Sequence, residues 1–214
     1  MLVRVRMSTN PVTITSEAPI TEALRVMREN QVRRLPVVDQ DGDMQGIVSE
    51  KDLLYASPSP ATSLSIHEMH YLLSRLLVSE LMSAEVISVT PGTPLEEAAR
   101  IMADNKIGGL PVVENGDLVG IITETDLFKV FLEMLGARAK GLRLTLAIPE
   151  RKGEMARVTS TIADLGGNIL SLGTFLGNDP STAVVTVKVE GVPAGRLTAA
   201  MHNLNLDILD ARET

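Results

Sequence analysis

The chain of 214 residues contains no cysteine and no tryptophan, and aromatic residues make up only 2% of it. The lack of cysteine excludes disulfide bonds and thiolate zinc sites, and it suits a reducing compartment. With so few aromatics, the core must consist of valine, isoleucine, leucine, alanine and methionine. There are only three histidines, and the sequence has no nucleophile motif and no phosphate-binding P-loop, so no catalytic arrangement is recognisable.

Positive charge and long apolar runs are scarce as well. The net charge is −7, and without a long basic run this argues against binding to a nucleic-acid backbone. No stretch of about 18 uncharged apolar residues exists, and the first residues lack the apolar centre of a signal peptide. We therefore expect a cytoplasmic protein that binds neither nucleic acid nor a membrane, while a local cationic site for a small anion stays open.

One sequence pattern occurs twice in this chain. It reads RLPVVDQDGDMQGIVSEKDLL over residues 34–54 and GLPVVENGDLVGIITETDLF over residues 109–128. The match extends toward the N-terminus, where Met7-Ser8 corresponds to Met82-Ser83. Such regular self-similarity indicates a duplicated unit.

Each copy predicts the element order β-α-β-β-α. The spacing of Ile20, Ala23, Leu24 and Met27 gives one apolar helix face. In the second copy, Thr93 is the expected N-cap of the equivalent helix. Val3 and Val5 alternate like a short edge strand. Neither copy has enough layers to cover its own sheet, so we expect the two copies to pack on each other.

A hydroxyl residue and an aspartate recur at the junction between the last strand and the last helix of each copy. They are Ser49 and Asp52 in the first copy and Thr123 and Asp126 in the second. One interpretation is a nucleotide site, in which the hydroxyl and free amides hold a phosphate and the carboxylate accepts hydrogen bonds from ribose. The other is a capping box that only stabilises the helix start. The spacing alone fits both.

The LPVV strand, the glycine-bearing hairpin and the Gly-apolar-apolar-Ser/Thr-x-x-Asp motif, each present twice over residues 1–135, resemble a tandem pair of CBS domains, or Bateman module. This resemblance implies an α+β fold with a pseudo-two-fold axis and two clefts for adenosine nucleotides or adenosyl ligands. It assigns ribose binding to Asp52 and Asp126, and the phosphate side to Ser49 and Thr123.

The two copies differ just before LPVV, where the first has Arg33-Arg34 and the second has Gly108-Gly109. Guanidinium groups bind phosphate well, although an exposed, solvated arginine pair would need no ligand. On the first interpretation the clefts are unequal. The cleft near the arginines would favour more phosphates, and the other would take an adenosyl group or stay empty.

Between the copies, the apolar spacing after residue 66 predicts a connecting helix. His67 and His70 are one residue short of the spacing in zinc-binding H-E-x-x-H helices, so we expect no metal site. The predicted division is repeat 1 at 1–61, the connecting helix at 62–81, repeat 2 at 82–136, a linker at 137–141 and a C-terminal domain at 142–214.

The C-terminal domain has the predicted order β-α-β-β-α-β, which is the ferredoxin-like arrangement. The segments IPERKGEMARV and LGGNILSL resemble an ACT domain, a regulatory module. This resemblance implies either a dimer contact or a small effector between the first strand and the first helix. The residues expected at the effector site are Glu150, Gly153, Glu154, Met155, Asn168 and Ile169.

Together these observations predict a non-catalytic, energy-sensing regulator. AMP, ADP, ATP or S-adenosylmethionine would bind the CBS clefts, and the protein would act as a homodimer on a partner enzyme. The order CBS-CBS-ACT is similar to that of AcuB-type acetoin-utilisation proteins. The alternative is a purely structural or dimerising module that binds no nucleotide, and an enzyme is the third alternative.

Overall fold

The computed structural model describes residues 1–56, 73–177 and 179–214. The chain forms two compact units, Met1–Leu127 and Phe128–Thr214. Both copies of the repeated pattern lie in the first unit, except for the end of the last helix of the second copy. The domain boundaries given above, including the linker at 137–141, stay predictions.

The first repeat contains α1 (Ile20–Glu29), the hairpin of β2 (Arg34–Val38) and β3 (Met44–Ser49), and α2 (Glu50–Tyr55). A two-residue strand, β1 (Ser8–Thr9), precedes them. The apolar face predicted for α1 is the buried one, and its outer side carries Arg25 between two glutamates at 2.7 and 3.2 Å. The core of this repeat consists of aliphatic side chains and one methionine: Ile14, Ile20, Ala23, Met27, Leu35, Val37, Val48, Leu53 and Val78.

The second repeat has the same helices and hairpin: α3 (Leu95–Asn105), β4 (Gly109–Glu114), β5 (Asp117–Thr123) and α4 (Glu124–Met134). Its predicted leading strand is not formed, because the segment that corresponds to β1 makes only an isolated bridge at Ser83. The prediction of Thr93 as N-cap is wrong, because Pro94 occupies that position and α3 begins at Leu95. The Thr93 hydroxyl instead accepts a hydrogen bond from the Thr90 amide at 3.1 Å. It therefore stabilises the turn before the helix.

The N-terminal strand predicted from Val3 and Val5 is also wrong, since residues Val3–Val5 form a 3₁₀ turn. The Val3 amide donates to the carbonyl of Thr93 at 2.9 Å, and Val3 is fully buried while Val5 is 61% exposed. Two alternating valines are too short a pattern to distinguish a strand from a turn.

The two repeats exchange their leading segments. Ser8 and Thr9 of β1 pair antiparallel with Ile121 and Gly120 of β5, which belongs to the other repeat. In the reverse direction, Ser83 forms an antiparallel bridge with Ile47 of β3. The predicted packing of one copy on the other is therefore built partly from backbone hydrogen bonds between them.

This exchange explains the glycine in each strand-end motif. A Cβ on Gly46 would lie 2.8 Å from Met82 Sδ and 2.9 Å from the Ser83 carbonyl oxygen. A Cβ on Gly120 would likewise lie 2.8 Å from the Ser8 carbonyl oxygen and 2.9 Å from Met7 Sδ. Each glycine thus leaves room for the Met-Ser segment of the other repeat to cross the strand.

The second unit carries a four-stranded antiparallel sheet in the order β7–β8–β6–β9. Its elements are β6 (Leu142–Pro149), α5 (Glu154–Asp164), β7 (Asn168–Leu176), β8 (Thr182–Glu190), α6 (Ala194–Asn203) and β9 (Asp207–Glu213). This agrees with the predicted order β-α-β-β-α-β. Side chains of both helices share one core with alternate residues of β6 and β8.

Helix α4 ends within this second unit. Gly136 follows it at φ +60°, a left-handed conformation that suits glycine at a helix C-terminus. The carbonyl oxygen of Gly136 accepts a hydrogen bond from Lys188 Nζ at 3.1 Å, and Lys188 is only 4% exposed. A buried lysine of β8 therefore satisfies a backbone group just past the end of α4.

Most of the predicted connecting helix, including His67 and His70, lies outside the described residues. Inside them, residues Val78–Glu80 form a 3₁₀ turn. Across the described ranges, none of the helices combines the length and the apolar character needed to cross a bilayer. The same ranges contain no cluster of three or more histidine or carboxylate groups arranged to hold a metal ion.

Candidate functional site

The junction of β3 and α2 holds Ser49 and Asp52 against each other. Asp52 Oδ2 accepts hydrogen bonds from the Ser49 hydroxyl at 2.6 Å and from the Ser49 amide at 3.0 Å. The Asp52 amide donates back to Ser49 Oγ at 3.3 Å. The capping box that spacing allowed is therefore formed, and it fixes the direction of the Asp52 carboxylate.

The junction of β5 and α4 repeats this geometry. Asp126 Oδ2 accepts from the Thr123 hydroxyl at 2.7 Å and from the Thr123 amide at 3.0 Å. The pairing register of the two hairpins is equivalent too, because Ser49 pairs with Arg34 across the first hairpin and Thr123 pairs with Gly109 across the second. The two motifs are thus copies in structure as well as in sequence.

A cleft of about 670 Å³ opens beside the first motif. Residues from both repeats line it. The first repeat contributes Arg33, Arg34, Ile47 and the segment Ser49–Asp52 with Tyr55, and the second contributes Ser83, Glu85–Ile87, Lys106–Gly109 and Pro111. Four of the six predicted nucleotide-site residues therefore lie in one cleft, and Thr123 and Asp126 are not among its lining residues.

The arginine pair and the glycine pair were expected to distinguish two clefts. Both pairs line this same cleft, and the Arg34 side chain lies beside both glycines. The difference between the copies therefore bears on this cleft, and the inequality of two clefts stays a prediction.

The cleft combines cations with apolar walls. Arg33, Arg34, Lys51 and Lys106 outnumber three lining carboxylates, while Ile47, Val86, Ile87, Ile107 and Pro111 supply apolar surface. Tyr55 adds an aromatic ring, and Lys51 Nζ lies 5.4 Å from its centroid. Such a surface suits a ligand with an apolar flat part and an anionic part.

Sequence analysis missed Lys51, Tyr55, Lys106, Val86 and Ile87 as lining residues. Lys51 and Tyr55 flank Asp52 within the motif helix, so proximity in sequence could have suggested them. Val86 and Ile87 follow the Met82-Ser83 segment. Only the exchange of that segment brings them to the first motif, and no local pattern reports it.

The residues predicted as an effector site lie around the start of α5. Gly153 is the N-cap at φ +89°. Glu154 is 3% exposed and accepts hydrogen bonds from Arg151 Nε at 2.6 Å and Arg157 Nη1 at 2.8 Å. The hydrogen bond from Arg151, followed by that from Arg157, holds the pKa of Glu154 below its usual range. This carboxylate therefore already binds two guanidinium groups.

The remaining predicted effector residues are placed as follows. Asn168 Nδ2 donates to Glu190 Oε1 at 2.7 Å, and Glu150 is exposed after β6. Met155 and Ile169 pack against the core of the second unit. Their role in effector binding stays a prediction.

The model of the CBS domain family matches this chain twice, at residues 3–59 and 78–133. A solved structure of a candidate acetoin utilization protein (AcuB) from Vibrio cholerae is 33% identical, with a TM-score of 0.53, and the match covers 64% of this chain and 95% of that one.

Two further solved structures contain ligands. The CBSX2 protein in complex with AMP is 29% identical, with a TM-score of 0.53 and coverage of 62% of this chain and 97% of that one. The CBS domain pair of protein MJ0100, in complex with 5'-methylthioadenosine and S-adenosyl-L-methionine, is 27% identical, with a TM-score of 0.52 and coverage of 64% and 98%. Two matches to the family model, on the two copies that the sequence repeats, establish that this chain belongs to the CBS domain family.

Proposed function

We propose that this protein is a non-catalytic regulatory sensor that binds an adenosine nucleotide in the cleft between its two repeats. The observation that carries the proposal is the convergence of Ser49, Asp52 and the two arginines on one cleft with apolar walls. The AMP complex of CBSX2 and the adenosyl complexes of MJ0100 support an adenosine ligand.

Each part of the cleft would take one part of the nucleotide. Ser49 directs its hydroxyl and amide at Oδ2 of Asp52, so we assign the other carboxylate oxygen, Oδ1, to the ribose hydroxyls. Arg33, Arg34 and neighbouring lysines would bind phosphate through charge-assisted hydrogen bonds. The apolar walls would contact the base. The capping box and the nucleotide site are then one arrangement with two uses.

Thr123 and Asp126 have the same geometry, and we propose that they bind the ribose of a second ligand. Binding would change the population of conformations that a partner enzyme recognises. The second unit would act as an ACT-like domain that forms a homodimer or binds a small effector. A role in acetoin metabolism belongs to this proposal through the similarity to AcuB, and energy sensing and a cytoplasmic location belong to it as predictions from the sequence.

A structural module without nucleotide is the second candidate. The completed capping box at Ser49 and the matching hydrogen bonds from Thr123 to Asp126 favour it, because they need no ligand to explain either aspartate. Isothermal titration calorimetry of the full chain with AMP, ADP, ATP and S-adenosylmethionine separates the two candidates. Asp52→Asn keeps the size of the side chain and removes its charge. We expect it to weaken binding in the cleft at least about tenfold, the effect of losing a hydrogen bond to a charged group.

Asp126→Asn is the matched control, because it makes the same substitution in the equivalent motif, at a position outside the cleft lining. It should leave the affinity of the first cleft unchanged and lower only the stoichiometry if a second site binds. A nucleotide at about a hundred times its dissociation constant should also stabilise the fold by about 2.7 kcal/mol in thermal unfolding. If no nucleotide binds and both variants only lower the melting temperature, the structural candidate is correct. Conversion of a nucleotide by the pure protein would revive the enzyme candidate.

A further inference from the structure

The glycine pair of the second repeat provides the space in which Arg34 of the first repeat lies. A Cβ on Gly108 would overlap Arg34 Nη2 and would fall 2.9 Å from Arg34 Cζ. A Cβ on Gly109 would fall 3.2 Å from Arg34 Cδ. Neither glycine has a positive φ, so the space, and not the backbone conformation, calls for glycine. Arg34 and the Gly108-Gly109 pair are therefore the two sides of one contact.

The Gly108 position also lies beside the second motif. A Cβ on Gly108 would lie 2.6 Å from Glu124 Oε2, so the guanidinium of Arg34 and this carboxylate are neighbours. Glu124 is the first residue of α4, and its amide donates to the carbonyl of Gly108 at 3.1 Å. Arg34 thus lines the cleft and also neighbours a carboxylate that is not among the cleft-lining residues.

We infer that Arg34 is shared between Glu124 and a ligand phosphate, and that Glu124 thereby sets the preference of the cleft for ligands with a phosphate. The inference rests on the proposed nucleotide site. In the free protein the cation neighbours Glu124. A bound phosphate competes with that carboxylate for the guanidinium, whereas an adenosyl ligand without phosphate does not.

The strengths of the two contacts favour the ligand phosphate over Glu124 as the partner of the Arg34 guanidinium. Arg34 and Glu124 are neighbours without forming an ion pair, and at an exposed site their attraction is small, since solvent screens it. A phosphate can accept two parallel hydrogen bonds from one guanidinium, which makes the contact stronger and directional. Glu124 would therefore lower the affinity for phosphate by a small factor without preventing binding. It would act as a specificity-determining residue contributed by the second repeat.

The test compares AMP with 5'-methylthioadenosine by calorimetry on the full chain. Removing the competing charge with Glu124→Gln should raise the affinity for AMP about two- to fivefold, the upper range of a screened charge interaction at an exposed site, and leave 5'-methylthioadenosine unchanged. Arg34→Met should lower the affinity for AMP about ten- to hundredfold. In the Arg34→Met background, Glu124→Gln should have no further effect on AMP.

Glu114→Gln is the control for net charge, because Glu114 is an exposed acid at the end of β4 in the same repeat. Gly108→Ala is an independent variant that moves the guanidinium without altering any charge, and it should change the ratio of the two affinities. If both ligands bind wild-type protein but Glu124→Gln shifts both equally, or shifts neither, the inference is wrong and the proposed function stands. If neither ligand binds wild-type protein, the proposed function itself fails.

Discussion

The exchange of leading segments predicts that the motif glycine of β3 cannot be replaced by alanine without loss of stability. The added methyl group of Gly46→Ala would lie 2.8 Å from Met82 Sδ and 2.9 Å from the Ser83 carbonyl oxygen. The methionine side chain can move, but the Ser83 carbonyl is backbone. It accepts from the Ile47 amide at 3.0 Å, and the Ser83 amide donates to the Ile47 carbonyl at 2.9 Å.

The expected cost follows from these contacts. Moving the Ser83 backbone away would weaken two hydrogen bonds, each worth about 0.5–1.5 kcal/mol. Overpacking of a well-packed site costs about 1–3 kcal/mol by itself. We therefore expect Gly46→Ala to lower the free energy of unfolding by about 2–4 kcal/mol. The measurement is urea unfolding followed by circular dichroism, with hydrogen exchange at the Ile47 and Ser83 amides as the local readout.

Gly92→Ala is the matched control, since it is the same substitution in the same unit. Its Cβ would meet only Thr90 Oγ1, at an ordinary 3.8 Å, so it should be neutral or slightly stabilising. If Gly46→Ala and Gly92→Ala change the free energy of unfolding equally, and exchange at Ile47 and Ser83 is unaltered, the crossing of the segments is not what requires glycine here.

Two further predictions concern the core of the first repeat and the start of α5. Leu53 is fully buried whereas its neighbour Leu54 is 57% exposed, so Leu53→Ala should lower the free energy of unfolding by about 2–5 kcal/mol and Leu54→Ala by less than about 0.5 kcal/mol; equal effects in urea unfolding would contradict the placement of α2. Arg151 and then Arg157 hold the pKa of Glu154 below its ordinary value of 4.5. The stability contributed by ionised Glu154 is therefore complete above that ordinary value and is lost as the pH falls through the lower folded-state pKa. Thermal unfolding as a function of pH should show a shallower acid loss for Glu154→Gln than for wild type, and parallel curves would refute the pairing.

Local patterns in the sequence predicted the elements of each repeat well. Ile20, Ala23 and Met27 share one helix face because their spacing matches the period of an α-helix. The capping box at Ser49 and Asp52 followed from spacing alone, because all its bonds lie within four residues. The Val3–Val5 segment failed, since a hydrogen bond to distant Thr93 decides its conformation.

The composition of the cleft could not be predicted in the same way. The position of Arg34 over Gly108 depends on the packing of one repeat against the other, and no periodicity encodes it. The sequence did show that these two positions differ between the copies. It could not show that the side chain of Arg34 occupies the space that Gly108 leaves free. Comparing the copies drew attention to these residues, and only the structure gave their spatial relation.

The placement of Tyr55 gives the cleft an optical reporter of its own. The chain has no tryptophan and only two tyrosines, and one of them, Tyr55, lines the cleft with a lysine ammonium over its ring. Tyrosine emission therefore comes in large part from a residue that a ligand in the cleft would touch. Occupancy can be followed in unlabelled wild-type protein, and Tyr55→Phe, which keeps only Tyr71, supplies the reference signal.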